Sequence, residues 1–379
     1  MATPDQSRDP LYLGLMSGTS LDAIDGALVR WCADGPVTLA FTSQDFDPSL
    51  RAELLALQSP GPDELHRASV AAAALARAYA QVCTPLIQHA PPGAVVAAIG
   101  AHGQTVRHRP EAGYTIQLLN GALLAELTGC AVVCDFRSAD IAAGGQGAPL
   151  VPAFHARVFS SPSQRRAIVN LGGIANVSLL SPSGEVTGFD TGPANVLMDL
   201  WATRTLGKPL DTDGALAASG RVDPPLLELL LDEPYFSRAA PKSTGRDLFN
   251  ADWLDSRLRR RMAAAEPQPS PADIQATLAE LTARTVADAC RGFAADAIFL
   301  CGGGALNPVL RRRIAALCPA TSVDDTGALG APPQAVEAVA FAWLAHCRLT
   351  GLPGNLPAVT GARGSRVSGA LHPGKGQAR

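Results

Sequence analysis

Charge is scarce in this chain and no basic field covers it: charged residues make up 17% of its 379 residues, and the formal net charge is -3. A nucleic-acid surface needs Lys and Arg gathered over a face. The clusters Arg257 to Arg261 and Arg311 to Arg313 read instead as solvated helix faces, so no nucleic-acid partner is expected. The eight cysteines are scattered, and the closest pair, Cys130 and Cys134, has no second pair to complete a zinc site. Reduced thiols in a cytoplasm fit that pattern, with no metal site made by the protein alone. The opening MATPDQSRDP carries an early acid and no long apolar core, unlike a secretory signal or an anchor. Apolar runs such as Val70 to Ala80 are broken by Arg77 and fall short of the ~20 residues that span a bilayer, so no membrane partner is expected. No GxGxxG opens a helix, and no P-loop lysine follows the first glycine turn.

Apolar material is plentiful: hydrophobic residues are 47% and mean hydropathy is +0.12. A single core stops growing at about 250 to 300 residues, so this length implies two domains. Leu11 to Ser17 reads as a strand, turning at Ser17-Gly18-Thr19-Ser20-Leu21-Asp22 into strands Ile24 to Trp31 and Val37 to Phe46. Such a tip offers N-H groups and hydroxyls to an anion, although the same residues also build tight turns for steric reasons. Helices are expected over Pro48 to Pro60 and Asp63 to His89, the second with Leu65, Val70, Leu75, Tyr79 and Val82 at near-helical spacing. Strand Ala94 to Ile99 empties into Gly100-Ala101-His102-Gly103-Gln104-Thr105, at the carboxyl end where open α/β sheets bind ligands. His102 is there either a substrate contact or a turn residue. Strands Thr115 to Leu119 and Ala131 to Cys134 flank a helix, Ala122 to Thr128, and Gly144 to Pro149 reads as a flexible joint or a backbone ligand loop near the change of domain.

The second half begins as the first does. Strands Ala167 to Leu171, Ala175 to Leu180 and Glu185 to Phe189, with Gly172-Gly173 between the first two, lead to Asp190 at a strand end facing the turn Thr191-Gly192-Pro193. That carboxylate either caps the next helix or does chemistry. Lys242-Ser243-Thr244-Gly245-Arg246 is a phosphate or sugar contact, or else a solvated loop. After helix Ser270 to Ala294, strand Ala297 to Leu300 leads through Cys301-Gly302-Gly303-Gly304-Ala305-Leu306-Asn307 into a helix opened by Pro308. Three glycines let the backbone lie against a planar base or ribose, and the helix N-terminus favours anions. The last strong helix, Pro333 to Leu349, carries Glu337 among apolar residues.

Taken together, Gly14 to Asp22, His102-Gly103-Gln104-Thr105-Val106, Asp135-Phe136-Arg137, Gly144 to His155, Asn170 to Asn176, Phe189 to Asn195 and Leu300 to Asn307 resemble the anhydro-N-acetylmuramic acid kinase family, from about Leu11 to Thr360. The resemblance implies an α/β fold of two ribonuclease-H-like lobes, as in actin-like ATPases, with a nucleotide cleft between them. The lobes are expected at 1–140 and 141–350, with the tail 351–379 packed back on the first. It implies ATP with Mg²⁺ and a small-molecule substrate, 1,6-anhydro-N-acetylmuramic acid, which water and ATP convert to N-acetylmuramic acid 6-phosphate in peptidoglycan recycling. Asp190 is then the base. Ser17, Gly18, Thr19, Ser20 and Asp22 hold phosphates, Asp22 meeting Mg²⁺ through water. Gly172, Gly173 and Asn176 form a second phosphate grip, and Gly302, Gly303, Gly304 and Asn307 meet the nucleotide. His102, Gln104, Arg137 and Glu337 line the sugar pocket, with Arg137 on the lactyl carboxylate. A cytoplasmic homodimer is also implied. Ala23 and Ala194 stand where the family often has Gly, and Leu119-Asn120 where it often has Gly-Asp. A chaperone-type ATPase and another sugar or acyl kinase share such a fold, but the chaperone's peptide-binding β-domain has no counterpart here.

Overall fold

The computed structural model describes residues 9–18, 21, 23–32, 35–263 and 267–375. Two compact units divide the chain, one running to Val158 and resuming at Ala335, the other spanning Phe159–Gln334. In the first unit the elements are β1 (Leu11–Ser17), β2 (Ala23–Cys32), β3 (Gly35–Asp45), α1 (Pro48–Ala56), α2 (Glu64–Gln88), β4 (Val96–Ala101), β5 (Gln104–Arg109), β6 (Tyr114–Leu118), α3 (Gly121–Thr128), β7 (Val132–Cys134), α4 (Ser138–Ala142) and α5 (Val151–Val158). In the second they are β8 (Arg166–Leu171), β9 (Ile174–Leu180), β10 (Val186–Pro193), α6 (Asn195–Leu206), α7 (Ala215–Ser219), α8 (Pro224–Leu231), α9 (Pro234–Ser237), α10 (Ala251–Met262), α11 (Pro271–Gly292), β11 (Ala297–Cys301), α12 (Pro308–Leu317) and β12 (Ser322–Asp325). The chain then returns to the first unit with α13 (Val336–Thr350), α14 (Pro357–Thr360) and β13 (Ala370–His372).

Both sheets repeat one topology. The second unit orders its strands β10-β9-β8-β11-β12, and the first orders β3-β2-β1-β4-β7 with β13 added at the far edge. In each, three strands meander antiparallel, and the first of them then pairs parallel with a strand reached through helices. Each unit is thus ribonuclease-H-like, and the α/β class expected from the paired hairpins is the one found.

The edges of the units differ from the expected 140 and 350. α13 is apolar almost all round, as a helix buried on every side must be, and it lies on β1 and β4. Two glycines permit that approach: a Cβ on Gly14 would stand 1.7 Å from the carbonyl oxygen of Ala338, and one on Gly100 1.9 Å from that of Phe341. The Gly144 to Pro149 stretch is no joint either, because Gly147 N-H donates to Asp140 Oδ2 (2.8 Å) and Gln146 N-H to the Thr360 carbonyl (2.8 Å). α2 has the length and composition to cross a membrane, but Ala71, Leu75, Tyr79, Val82 and Leu86 bury one stripe of it in the unit's core. Leu65 and Val70 lie off that stripe, 88% and 55% exposed; at about 100° per residue Val70 is about 140° round the helix from Leu75.

The arginine clusters are solvated only in part: Arg259, Arg260 and Arg312 are exposed, while the others are paired. Arg261, 3% exposed, grips Asp223 at the start of α8 through Nε (2.8 Å) and Nη2 (2.9 Å), and Arg257 meets Glu233 at 2.8 Å. Arg313 holds the buried Glu280 of α11 at 2.6 Å, while Arg311 spans Asp324 and Asp325.

Candidate active site

In the first unit, β1 ends at Ser17 beside the carboxyl end of β4, and four side chains gather there. His102 is 4% exposed. Its Nε2 accepts from Arg137 Nη2 (2.9 Å), which leaves Nδ1 to carry the proton and donate to the Ser17 carbonyl (3.3 Å). Burial and the adjacent guanidinium push the His102 pKa down to about 3, so the ring is neutral at pH 7. Both of its nitrogens are spent holding Arg137 and β1. Arg137 also donates through Nη1 to the Gly147 carbonyl (2.8 Å), while its buried Nε has no partner among the described residues. Burial lowers the Arg137 pKa to about 10, against the pull of Glu337. Glu337, on the first turn of α13, has its pKa raised by burial and by Asp25 and lowered by Arg137. Gln104 is fully buried; Nε2 donates to the Gly18 carbonyl (3.1 Å), and Oε1 has no partner among the described residues. A buried donor and a buried acceptor without such partners are what a polar ligand would satisfy.

The first phosphate tip is described only in part, since Thr19, Ser20 and Asp22 lie outside the described residues. Ser17 does not offer its hydroxyl: buried, it donates to the Gly103 carbonyl (3.3 Å) and lies 2.8 Å from Tyr79 Oη. Ala23 is extended within β2 and Ala194 has φ -118°, so neither methyl sits in the left-handed region. Asn120 caps α3, accepting from Leu123 N-H (2.9 Å).

In the second unit, Asp190 does not stand at a strand end before a turn. β10 runs through it to Pro193, with a bulge between Asp190 and Gly192 that the Gly-Pro pair disguises as a turn. Nor does Asp190 cap α6, whose N-cap is Ala194, with its first N-H groups donating to the Gly172 and Gly173 carbonyls. Its carboxylate Oδ2 accepts from Thr244 N-H (3.0 Å), its own N-H donates to the Lys242 carbonyl (3.1 Å), and its carbonyl accepts from Tyr235 Oη (2.6 Å). Burial raises the Asp190 pKa above the ordinary carboxylate value, and the Thr244 N-H opposes that rise. The 242–246 run is therefore bound to Asp190 rather than being a solvated loop. Sequence patterning does not reveal Tyr235, whose contact spans 45 residues.

Asn176 pairs across the sheet with both Asp190 and Asn170. The Gly172-Gly173 turn is open on one side, since a Cβ on Gly173 would find no atom nearer than 3.9 Å. Of the three consecutive glycines, two are needed for packing: a Cβ on Gly302 (φ +77°) would stand 2.2 Å from Asn170 Oδ1, and one on Gly304 2.7 Å from Leu171 Cβ. Only Gly303 faces open space. Asn307 Oδ1 caps α12, accepting from Val309 N-H at 2.9 Å.

A family model described as anhydro-N-acetylmuramic acid kinase matches residues 10–374. A protein of that name from Bordetella petrii is 56% identical over 368 residues, covering 96% of both chains. Its namesake from Burkholderia ambifaria is 56% identical over 380 residues, covering 98% of both. Among solved structures, the activator of 2-hydroxyisocaproyl-CoA dehydratase from Clostridium difficile aligns at TM-score 0.45 and 13% identity, over 90% of this chain and 96% of that one. That likeness adds nothing to the strand order already described.

Proposed function

The chain belongs to the anhydro-N-acetylmuramic acid kinase family, and from that membership we propose that it opens the 1,6-anhydro ring of anhydro-N-acetylmuramic acid and phosphorylates O6, in the recycling of peptidoglycan in the cytoplasm. Asp190 takes a proton from water as the water oxygen bonds to the anomeric carbon. The bond from that carbon to O6 breaks, and O6 takes the γ-phosphoryl group of ATP, leaving ADP. The observation that carries the reading is the state of Asp190: half-buried, free of any capping duty, and held through Oδ2 by a single N-H. A raised pKa makes it a stronger base than an exposed Asp.

The sugar is assigned to the His102, Gln104, Arg137 and Glu337 cluster. Arg137 meets the lactyl carboxylate, and its unpartnered Nε and Gln104 Oε1 supply a donor and an acceptor. The open glycine turn at Gly172-Gly173, with Asn176 and the exposed Gly303, suits phosphate and nucleotide. Bound ATP supplies the phosphoryl group, and Mg²⁺ neutralises its charge. Mg²⁺ would be held mainly by the phosphates and water, with Asp22, outside the described residues, as its water-mediated protein contact. The homodimer implied by family resemblance is a further proposal, tested by sedimentation equilibrium.

Asp190→Asn is expected to keep its fold and its affinity for ATP while turnover falls by roughly 10²- to 10⁴-fold. The measurement is formation of phosphorylated reducing sugar from the anhydro sugar. Near-normal turnover in the variant would remove Asp190 as the base.

A further inference from the structure

Asp190 is gripped from one side by two residues flanking an exposed serine. Its N-H donates to the carbonyl of Lys242, and its Oδ2 accepts from the N-H of Thr244 (3.0 Å), so backbone and carboxylate are both referenced to one short stretch of chain. That stretch is itself fixed. Lys242 Nζ donates to the carbonyls of Tyr235 (3.3 Å) and Phe236 (3.0 Å), and the Gly245 carbonyl accepts from Leu248 and Phe249 N-H. On the same residue whose N-H meets the carboxylate, Thr244 Oγ1 is buried and has no hydrogen-bond partner among the described residues. Leaving a buried hydroxyl unpaired is unfavourable, so a polar group has reason to occupy its side. Bonding at Oδ2 leaves the other carboxylate oxygen, Oδ1, to face a proton donor.

We infer that Thr244 is a positioning residue of the ring-opening step: its N-H fixes Asp190 Oδ2, and its hydroxyl holds the attacking water for transfer of a proton to Oδ1. This rests on Asp190 being the base. The step balances, since the proton moves from water to Asp190 while Thr244 keeps its own and only accepts or donates a hydrogen bond. Nearby charges point elsewhere: the Tyr235 phenol donates to the Asp190 carbonyl, Lys242 to two carbonyls, and Arg238 lies over the Tyr235 ring. The neighbour across the strand, Asn176, is uncharged.

The test compares the full-length variants Thr244→Val, Thr244→Ser and Asp190→Asn with a chain carrying an ester in place of the Ser243–Thr244 amide. Thr244→Val is expected to lower kcat about tenfold or more with the KM for sugar and ATP unchanged, and Thr244→Ser to restore most of it. The ester, which lacks the N-H, should move the acid limb of kcat/KM to higher pH, because a donor favouring the charged carboxylate is gone. Wild-type kcat in Thr244→Val overturns the water-holding role, and an unmoved acid limb in the ester overturns the N-H role. If Asp190→Asn is inactive in those cases, the base assignment stands without Thr244; an active Asp190→Asn removes both. Should the valine variant fail to fold, Thr244→Ala removes the hydroxyl without added bulk and carries the same expectation, wild-type kcat again overturning the water-holding role, while the ester still decides the N-H role.

Discussion

Arg137 keeps its positive charge beside an imidazole that burial holds neutral, with Glu337 on the first turn of α13 pulling on it. A substrate carboxylate would offset that charge. Arg137→Ala should therefore raise the KM for the anhydro sugar by tenfold or so while leaving ATP affinity unchanged, as measured by steady-state kinetics and by calorimetry with ATP alone. Asp190 makes a second prediction, on pH. Its pKa is raised, so the fraction of ionised base falls at a higher pH than for an exposed Asp. The acid limb of kcat/KM should accordingly bend above about 3.9, the reference value for Asp, and vanish in Asp190→Asn if any residual rate remains. Motif matching nominates Asp190, His102, Gln104 and Arg137 at this scale, and the Lys242 to Arg246 run draws notice only as a phosphate or sugar contact or a loop. It does not link that run or Tyr235 to Asp190, because those are tertiary contacts over 54 and 45 residues. It also overstates Ser17, because a hydroxyl turned inward toward Tyr79 cannot be told from one turned out.

Among elements, the strands and long helices are legible because their apolar period is strong. α10 is not, since its Arg-rich last turn looks solvated, and only the fold shows Asp223 waiting for Arg261. β5 goes unassigned in the sequence for a related reason: half of its pattern is Arg and His, pairing with β6 in a separate two-stranded sheet. Glycines are the hardest to interpret. Gly302 and Gly304 look like ligand contacts and prove to be clearance for β8, while Gly14 and Gly100, inconspicuous inside strands, let α13 approach. A methyl at Gly14 has only backbone to displace. Gly14→Ala is expected to cost about 3 kcal/mol or more, read as a lower midpoint in urea unfolding. A loss below about 0.5 kcal/mol would mean that α13 can slide, contrary to the packing seen.

At the scale of the molecule, doubling of the hairpin foretells two similar units, but the sequence does not say where the chain leaves one and re-enters it. That depends on which sheet α13 covers, a question of close backbone approach that composition cannot answer. The tail joins the first unit by its own bonds: Asn355 Nδ2 and Thr360 Oγ1 both donate to Asp140 Oδ1, at 2.6 Å and 2.7 Å, and β13 pairs antiparallel with β7. One consequence concerns birth on the ribosome. The second unit is a single unbroken stretch, Phe159–Gln334, whereas the first must wait for the helix that rests on Gly14 and Gly100. The later half of the nascent chain is thus ready to fold before the earlier half is complete, reversing the usual order of synthesis. Expressed separately, residues 159–334 should melt cooperatively by circular dichroism. Residues 1–158 should not, until a segment carrying 335–375 is supplied.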